Sequence, residues 1–139
     1  MAQPNFESIE GVQAMMDTTP LHRLLGFRVV SMDTATGSFS MAAPTGGNSE
    51  RSDGAGQAHG GAIATLIDST ATYACCIMLG RGVPTINLRV DYLRPAGGEE
   101  MVATAIVRRA GRTVSVVDVD VIAGGKLVAI GRADLATMS

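Results

Sequence analysis

Residues 60–79 form the longest apolar run without a proline, GGAIATLIDSTATYACCIML, and a carboxylate, Asp68, lies near its middle. Its residues are apolar or small almost all round, which is typical of a helix buried on most sides. Thr65, Asp68, Ser69 and Thr72 recur at steps of three or four and therefore share one narrow polar stripe. A buried carboxylate must be paired, neutralised or used in chemistry, because burying an uncompensated charge is costly. The run therefore predicts a long core helix with a functional acid.

The composition limits the classes of protein to which the chain can belong. Its 139 residues fit one domain with a single core, and its net charge of −2 argues against a general nucleic-acid binder. Adjacent Cys75 and Cys76 give no disulfide framework and indicate a reducing compartment. Residues 1–11 lack the basic and apolar regions of a secretory signal. Because 62–79 is short for a membrane span and polar at its centre, we expect a cytoplasmic protein with no membrane partner.

Two short helices and two strands are predicted before the core helix. Apolar residues recur at helical spacing over 7–18, and Thr19-Pro20 begins a second helix that Gly26 ends. His22, in that second helix, is expected at the surface or at an interface. The remaining predicted segments are strands over 27–32 and 38–43 and a polar, glycine-rich loop over 44–58.

Strands joined by short turns are predicted after the core helix, over 85–93, 101–109, 112–122 and 126–135. In the first of these, alternation predicts one apolar face that contains Ile86, Leu88, Val90 and Tyr92. In the third, the apolar phase slips between Val116 and Val117, which indicates a bulge or burial on both faces.

The predicted fold class is α+β, with one long central helix wrapped by an antiparallel sheet. A helix that is apolar almost all round needs a sheet curved around it, and strands joined by short turns pair antiparallel. We expect a single domain over 1–139, in which 1–26 forms an N-terminal helical segment.

The residues around the core helix resemble those of a known family. His59-Gly60-Gly61 opens the helix, Asp68 follows nine residues after the histidine, and NLRVDYLRP at 87–95 supplies the next strand. Together with RRAGR at 108–112, these motifs resemble the hotdog-fold thioesterases of the phenylacetic-acid-degradation type. The resemblance implies a hotdog fold whose sheet continues into that of a second subunit. It also implies hydrolysis of acyl-coenzyme A with no metal and no cofactor beyond the coenzyme A of the substrate, by homodimers that pair into homotetramers.

Asp68 and Gly60 are the main catalytic candidates. Thioester hydrolysis needs a base that activates water or a carboxylate that attacks the carbonyl, and the sequence leaves both roles open for Asp68. The resemblance assigns the Gly60 N–H to polarise the thioester carbonyl, with Gly61 beside it at the helix start. Eight residues on one helix span about 12 Å, so one carbonyl cannot contact both groups. We therefore expect an obligate dimer with two active sites shared between its subunits.

Further catalytic candidates flank these two residues. His59 could transfer a proton, although a histidine just before a helix more often orients the turn. In the resembling family an Asn or Gln stands six residues before this histidine; here the position is Asp53, which donates no hydrogen bond when ionised. Gln57 or Asn48 would supply the amide if the loop were shifted. Thr85 matches a position where some members place a hydroxyl near the attacking water.

Arginines near strand ends are candidates for binding coenzyme A, whose phosphates suit bidentate guanidinium contacts. The resemblance favours Arg94, Arg108 and Arg112. No cluster has metal-ligand spacing, so no metal site is expected, and the two cysteines are expected to pack as small apolar residues. Small side chains along the helix are expected to leave room for an aryl or medium-chain acyl group: Ala62, Ala64, Ala71 and Ala74.

Two other functions remain candidates. One is a hydratase or dehydratase acting on enoyl or hydroxyacyl thioesters on the same fold, for which the resemblance requires a catalytic histidine paired with an acid across the site. Only His59 is available for that role. The other is a non-catalytic acyl-coenzyme A-binding module, in which Asp68 would be structural.

Overall fold

The computed structural model, which describes residues 3–138, has one long helix packed against a six-stranded antiparallel sheet. Its helices are α1 (Ile9–Thr18), α2 (Pro20–Leu25) and α3 (Gly60–Leu79). Its strands are β1 (Arg28–Met32), β2 (Phe39–Pro44), β3 (Thr85–Tyr92), β4 (Glu100–Arg109), β5 (Val114–Ala123) and β6 (Lys126–Ala136). The predicted α+β class is confirmed, and the bounds of each predicted element shift by no more than two residues.

The two N-terminal helices are short and end at identifiable signals. The Ser8 side chain caps α1 by accepting a hydrogen bond from the Gly11 N–H. Thr19 precedes α2, but its hydroxyl donates back to the Met15 carbonyl instead of capping the new helix. Gly26, at a φ of 71°, ends α2 in the left-handed conformation that glycine adopts without strain.

Helix α3 fills the centre of the core. It begins after His59 and ends at Gly80, and it packs against strands β2 to β6. Leu66 and Ile67 on the helix are fully buried, as is Phe39 on the sheet. The helix has the length and apolarity of a membrane span, but 67% of its apolar stretch is buried inside the fold. Its apolar character is therefore explained by packing against its own sheet.

The strand order across the sheet is β1-β2-β4-β5-β6-β3. Strand β3 follows α3 in sequence yet forms an edge of the sheet, paired only with β6 within the part of the chain that the structure describes. Its other side therefore presents backbone N–H and C=O groups to a further strand.

The predicted irregularity of the third C-terminal strand lies in the neighbouring strand. In β5 burial alternates without a slip. The pairing passes from Val107 opposite Val117 to Arg109 opposite Val116, so Arg108 is the extra residue of a bulge in β4. The apolar residues at Val116 and Val117 therefore accommodate a bulge in β4 instead of forming one.

The prediction for Ile86 is wrong. Thr85 pairs with Leu135 and Asn87 with Asp134, which leaves Ile86 as a bulged residue with 54% of its surface exposed. The extra residue changes the phase of alternation at the start of β3. As a result, Thr85 faces α3 together with the apolar residues of the core side.

Candidate active site

The start of α3 leaves one backbone donor without a partner. His59 is the N-cap, and its Nδ1 accepts a hydrogen bond from the Gly61 N–H at 2.8 Å. The His59 carbonyl accepts from the Ala62 and Ile63 N–H groups. No acceptor for the Gly60 N–H lies among residues 3–138. Because the positive end of a helix dipole is at this point, the Gly60 N–H suits a developing oxyanion, and the Gly61 N–H is already in use.

Tyr92 on the edge strand holds the same turn from the other side. Its hydroxyl donates to the Gly60 carbonyl at 2.7 Å. The peptide unit between Gly60 and Gly61 is thus fixed at both ends, by Tyr92 at its carbonyl and by His59 at its N–H. The alternation of β3 predicts that Tyr92 lies on the same face as Leu88 and Val90, but nothing in the sequence indicates the partner of its hydroxyl.

Replacing Tyr92 with Phe is expected to lower kcat about threefold to tenfold with little change in KM, because loss of one hydrogen bond of about 1 kcal/mol loosens the turn. Steady-state kinetics on one substrate would measure both parameters. Thermal unfolding of the wild type and of Tyr92→Phe would show whether the fold is retained. A Tyr92→Phe enzyme with unchanged kcat would contradict the role of this hydroxyl.

Asp68 lies half-buried midway along α3 and has one oxygen in use. Thr85 Oγ1 donates to Asp68 Oδ1 at 2.6 Å, and Thr72 Oγ1 lies 3.3 Å from Thr85 Oγ1. The structure gives the second oxygen, Oδ2, no hydrogen-bond donor within residues 3–138. A carboxylate held at one oxygen and open at the other can bind and activate a water molecule or attack a carbonyl.

The polar stripe on α3 divides between three kinds of contact. Thr65 donates back to the Gly61 carbonyl at 2.8 Å and so serves the helix itself. Asp68 and Thr72 share Thr85, whereas the hydroxyl of Ser69 lies 3.1 Å from His22 Nε2. The stripe predicted from the sequence is therefore present, but its members have different partners.

His22 is a site residue whose contacts the sequence does not indicate. The sequence predicts it at the surface or at an interface, and the structure places it half-buried against α3, between Ser69 and Tyr73. The sequence places it on a short helix, and only the packing of α2 onto α3 brings it beside the residue that follows Asp68. No local signal could have predicted this contact.

The loop before α3 places the predicted amide candidates differently. Asp53 is exposed, and the Asn48 amide donates to the Leu24 carbonyl at 3.1 Å. The Gln57 Oε1 accepts from Arg51, and the Gln57 backbone bridges to Gly97. The roles of Asp53, Gln57 and Asn48 thus stay predictions. Of the two amide side chains, that of Gln57 is the one whose nitrogen has no hydrogen-bond partner within residues 3–138.

The three arginines predicted to bind coenzyme A lie in three different places. Arg94 lines a cleft of about 370 Å³ together with Gly60 and Tyr92. Arg112 lies near Leu79 at the other end of α3, and the helix is about 30 Å long. Arg108 lies on the outer face of the sheet and binds Asp118, so one chain does not bring the three together.

The carboxylate of Asp118 is the centre of an ion-pair cluster on the outer face. Arg132 donates to both of its oxygens at 2.6 and 2.9 Å, and Arg108 donates to Oδ2 at 2.8 Å. The bonds from Arg132, followed by those from Arg108, lower the pKa of Asp118 to about 2. Both guanidinium groups are more than half exposed, so solvent screens these ion pairs.

Replacing Asp118 with Asn is expected to remove a small, pH-dependent part of the free energy of unfolding, at most about 1 kcal/mol. Because the folded pKa lies below the ordinary value of 3.8, the wild type has this stabilisation in full above pH 3.8. It is lost as the pH falls towards 2. Urea unfolding at pH 7 and pH 3 measures it, with Asp120→Asn on the same strand as the control. If the free energy of unfolding depended on pH equally in the wild type and in Asp118→Asn, the stabilisation by ionised Asp118 would be refuted.

Buried small residues of α3 belong to the core. Cys75 and Cys76 are buried, and desolvation raises the pKa of Cys76 to about 11, so the thiol carries no charge near neutral pH. Three of the alanines expected to leave room for an acyl group are also buried, because they face the sheet of their own chain: Ala62, Ala71 and Ala74. The expected space beside these three is therefore filled, and Ala64 is the half-exposed alanine that still lies beside open space.

The chain is similar to known thioesterases in sequence and structure. The sequence pattern of the thioesterase superfamily matches residues 55–130. Human acyl-coenzyme A thioesterase 13 is 33% identical over 128 residues, which cover 88% of this chain and 89% of the human one. The acyl-coenzyme A thioesterase PaaI of Escherichia coli is 27% identical over 114 residues, covering 81% and 78% of the two chains.

A solved structure extends the similarity to the whole fold. Zebra fish thioesterase superfamily member 2 superposes with a TM-score of 0.80 at 27% identity, covering 94% of this chain and 98% of that one. The central helix, the antiparallel sheet and the resemblance noted in the sequence are therefore confirmed together. The chain belongs to the thioesterase superfamily and has its hotdog fold.

Proposed function

We propose that this thioesterase hydrolyses acyl-coenzyme A thioesters to free acid and coenzyme A, with aryl or medium-chain acyl groups as substrates. The observation that carries the proposal is the Asp68 carboxylate, which is held by Thr85 at one oxygen and open at the other. The names of the human and Escherichia coli relatives, both acyl-coenzyme A thioesterases, support this substrate class.

In the proposed reaction, Asp68 acts as a general base. A water bound to Oδ2 gives a proton to the carboxylate while its oxygen attacks the thioester carbonyl. The Gly60 N–H donates to the carbonyl oxygen as negative charge develops there. The carbon–sulfur bond then breaks, and the proton passes from Asp68 to the leaving sulfur, which yields the free acid and the thiol of coenzyme A. No further cofactor takes part.

The proposed site is completed by a second copy of the chain. Gly60 and Asp68 of one α3 are about 12 Å apart along the helix axis, so Gly60 must come from a partner's helix that runs antiparallel. The open edge of β3 would continue the sheet into that copy, and the half-exposed members of the polar stripe of α3, Thr65, Asp68 and Thr72, would face it. A dimer of this kind has two equivalent sites, and two dimers would pair into a tetramer.

Coenzyme A would enter past the start of α3. Arg94 lines the same cleft as Gly60, so its guanidinium is the proposed partner for a phosphate of the nucleotide. Arg94→Gln should raise KM more than it lowers kcat, because a contact remote from the reacting bond acts largely as uniform binding. Arg108 and Arg112 remain predicted contacts of coenzyme A.

The decisive experiment is a thiol-release assay with aryl, short-chain, medium-chain and long-chain acyl-coenzyme A substrates. We expect release that depends on Asp68 and is fastest for the aryl or medium-chain thioesters. No release from any substrate, together with measurable binding, would identify a non-catalytic acyl-coenzyme A-binding module. Loss of the enoyl absorbance of crotonyl-coenzyme A without thiol release would identify a hydratase.

A single turnover in water labelled with oxygen-18 separates the two roles of Asp68. A general base puts the label directly into the product acid. A nucleophile forms an anhydride whose hydrolysis leaves the first product unlabelled and Asp68 labelled, provided that water attacks the Asp68 carbonyl. We expect the label in the first product.

A further inference from the structure

His22 is held against the helix that carries Asp68 by contacts on three sides. Its Nε2 lies 3.1 Å from Ser69 Oγ and its Nδ1 lies 3.5 Å from Tyr73 OH. Its ring stacks on Phe27 with a centroid distance of 5.2 Å and is tilted against Tyr73 at 5.9 Å. Ser69 directly follows Asp68, so these contacts hold an imidazole against the turn of α3 that carries the proposed base.

The surroundings of His22 favour its neutral form. Desolvation lowers the pKa of His22 below its ordinary value of 6.5, and the charge of Asp68 opposes this as the smaller effect. Desolvation also raises the pKa of Tyr73 to about 12, so its hydroxyl keeps its proton and can donate to Nδ1. In that arrangement the Nε2–H of the neutral ring donates to Ser69.

Asp68 is the charged group that acts on His22. The other charged groups on the elements around α2 are engaged elsewhere or point to solvent. The Asp17 carboxylate of α1 binds Gln13, Arg28 of β1 pairs with Glu100, and Glu50, beyond the 3-10 turn Gly47–Ser49, accepts from the Gly54 N–H. Arg23 on α2 donates to the Asp17 carbonyl.

We propose that His22 is a positioning residue whose neutral imidazole holds Ser69, the neighbour of the Asp68 base on α3, and whose protonation reduces hydrolysis as the pH falls. The proposal rests on the proposed function of Asp68. A proton on His22 puts a positive charge beside Asp68, which stabilises the carboxylate and makes it a weaker proton acceptor. It also turns Nδ1 into a donor facing the Tyr73 hydroxyl, which must then rotate to accept.

The pH profile of kcat/KM tests the proposal. We expect the wild type to lose activity about threefold to tenfold in a step below pH 6.5, where His22 takes up its proton. His22→Gln keeps an amide donor for Ser69 but cannot titrate, so it should lower kcat near neutral pH about threefold and remove this step. A step that persists in His22→Gln, or is missing in the wild type, overturns the proposal.

A second measurement does not depend on hydrolysis. The chain has two histidines, so His22→Gln assigns the imidazole signal that belongs to His22 in a proton NMR titration. Asp68→Asn should lower the pKa of His22 further, because the charge that opposes its lowering is removed. An unchanged His22 titration in Asp68→Asn means that the two groups do not interact and overturns the inference. A shifted titration in a protein that releases no thiol refutes the proposed function alone.

Discussion

Asp68→Asn is expected to lower kcat for thioester hydrolysis about 10³-fold, since a positioned general base contributes about 10² to 10⁴. The asparagine has the same shape and its oxygen can still accept the hydrogen bond from Thr85, but it cannot take a proton from water. KM should change little, because the loss falls on the transition state. Steady-state thiol release at saturating substrate measures the effect.

A matched substitution on the outer face serves as the control. Asp120→Asn makes the same chemical change at an exposed position of β5 and should leave kcat within about twofold. Thermal unfolding of both variants would show whether the fold survives. If Asp68→Asn kept kcat within a few-fold of the wild type, the carboxylate would be structural and the proposed chemistry would be wrong.

Gly60→Pro is expected to lower kcat about 10²-fold to 10³-fold, the usual cost of removing one oxyanion donor. Proline is well tolerated at the first position of a helix, which Gly60 occupies, and it has no N–H to donate. The preceding residue, His59, is already extended, with ψ at 139°, as a residue before proline requires. The substitution therefore removes the donor and leaves the helix in place.

Gly60→Ala is the matched control, because it adds a side-chain carbon and keeps the N–H. That carbon would lie 3.3 Å from the Tyr92 ring, which is half exposed and can move by the few tenths of an ångström required. We expect Gly60→Ala to retain most of the activity that Gly60→Pro loses. Equal losses in the two variants would mean that space beside Tyr92, and not the N–H, limits the reaction.

Mixing two inactive variants tests whether the site is shared between subunits. When Asp68→Asn and Gly60→Pro chains are unfolded together and refolded, half of the dimers should be mixed, each with one intact site. We therefore expect about a quarter of wild-type activity from the mixture, although each variant alone is nearly inactive. A mixture no more active than its components would show that Gly60 and Asp68 do not act across an interface.

The sequence was sufficient to predict the central helix and the positions of the strands along the chain. The bounds of α3 follow from a glycine pair after His59 at one end and Gly80 at the other, both of which are local signals. The proposed role of Asp68 also rests on a local signal, because burying an unpaired carboxylate in an apolar helix is costly.

The contacts of the site could not be predicted in the same way. His22 reaches Ser69 through the packing of two helices that are far apart in sequence, and the hydroxyl of Tyr92 finds Gly60 across 32 residues. The exposure of Ile86 was predicted wrongly, because a bulge depends on how two strands pair and not on the alternation of one.

The bulge at Ile86 also shows which residue the alignment of the acid can spare. Deleting Ile86 would let β3 pair with β6 in regular register, with Thr85 still opposite Leu135. Because neighbouring residues of a regular strand face opposite sides, Thr85 would still lie on the side opposite Asn87 and face Asp68. If Ile86 stayed and the bulge were straightened, Thr85 would share the face of Asn87 and its hydroxyl would point away from the acid. The alignment of Asp68 therefore depends on a bulge that absorbs Ile86, and not on the Ile86 side chain.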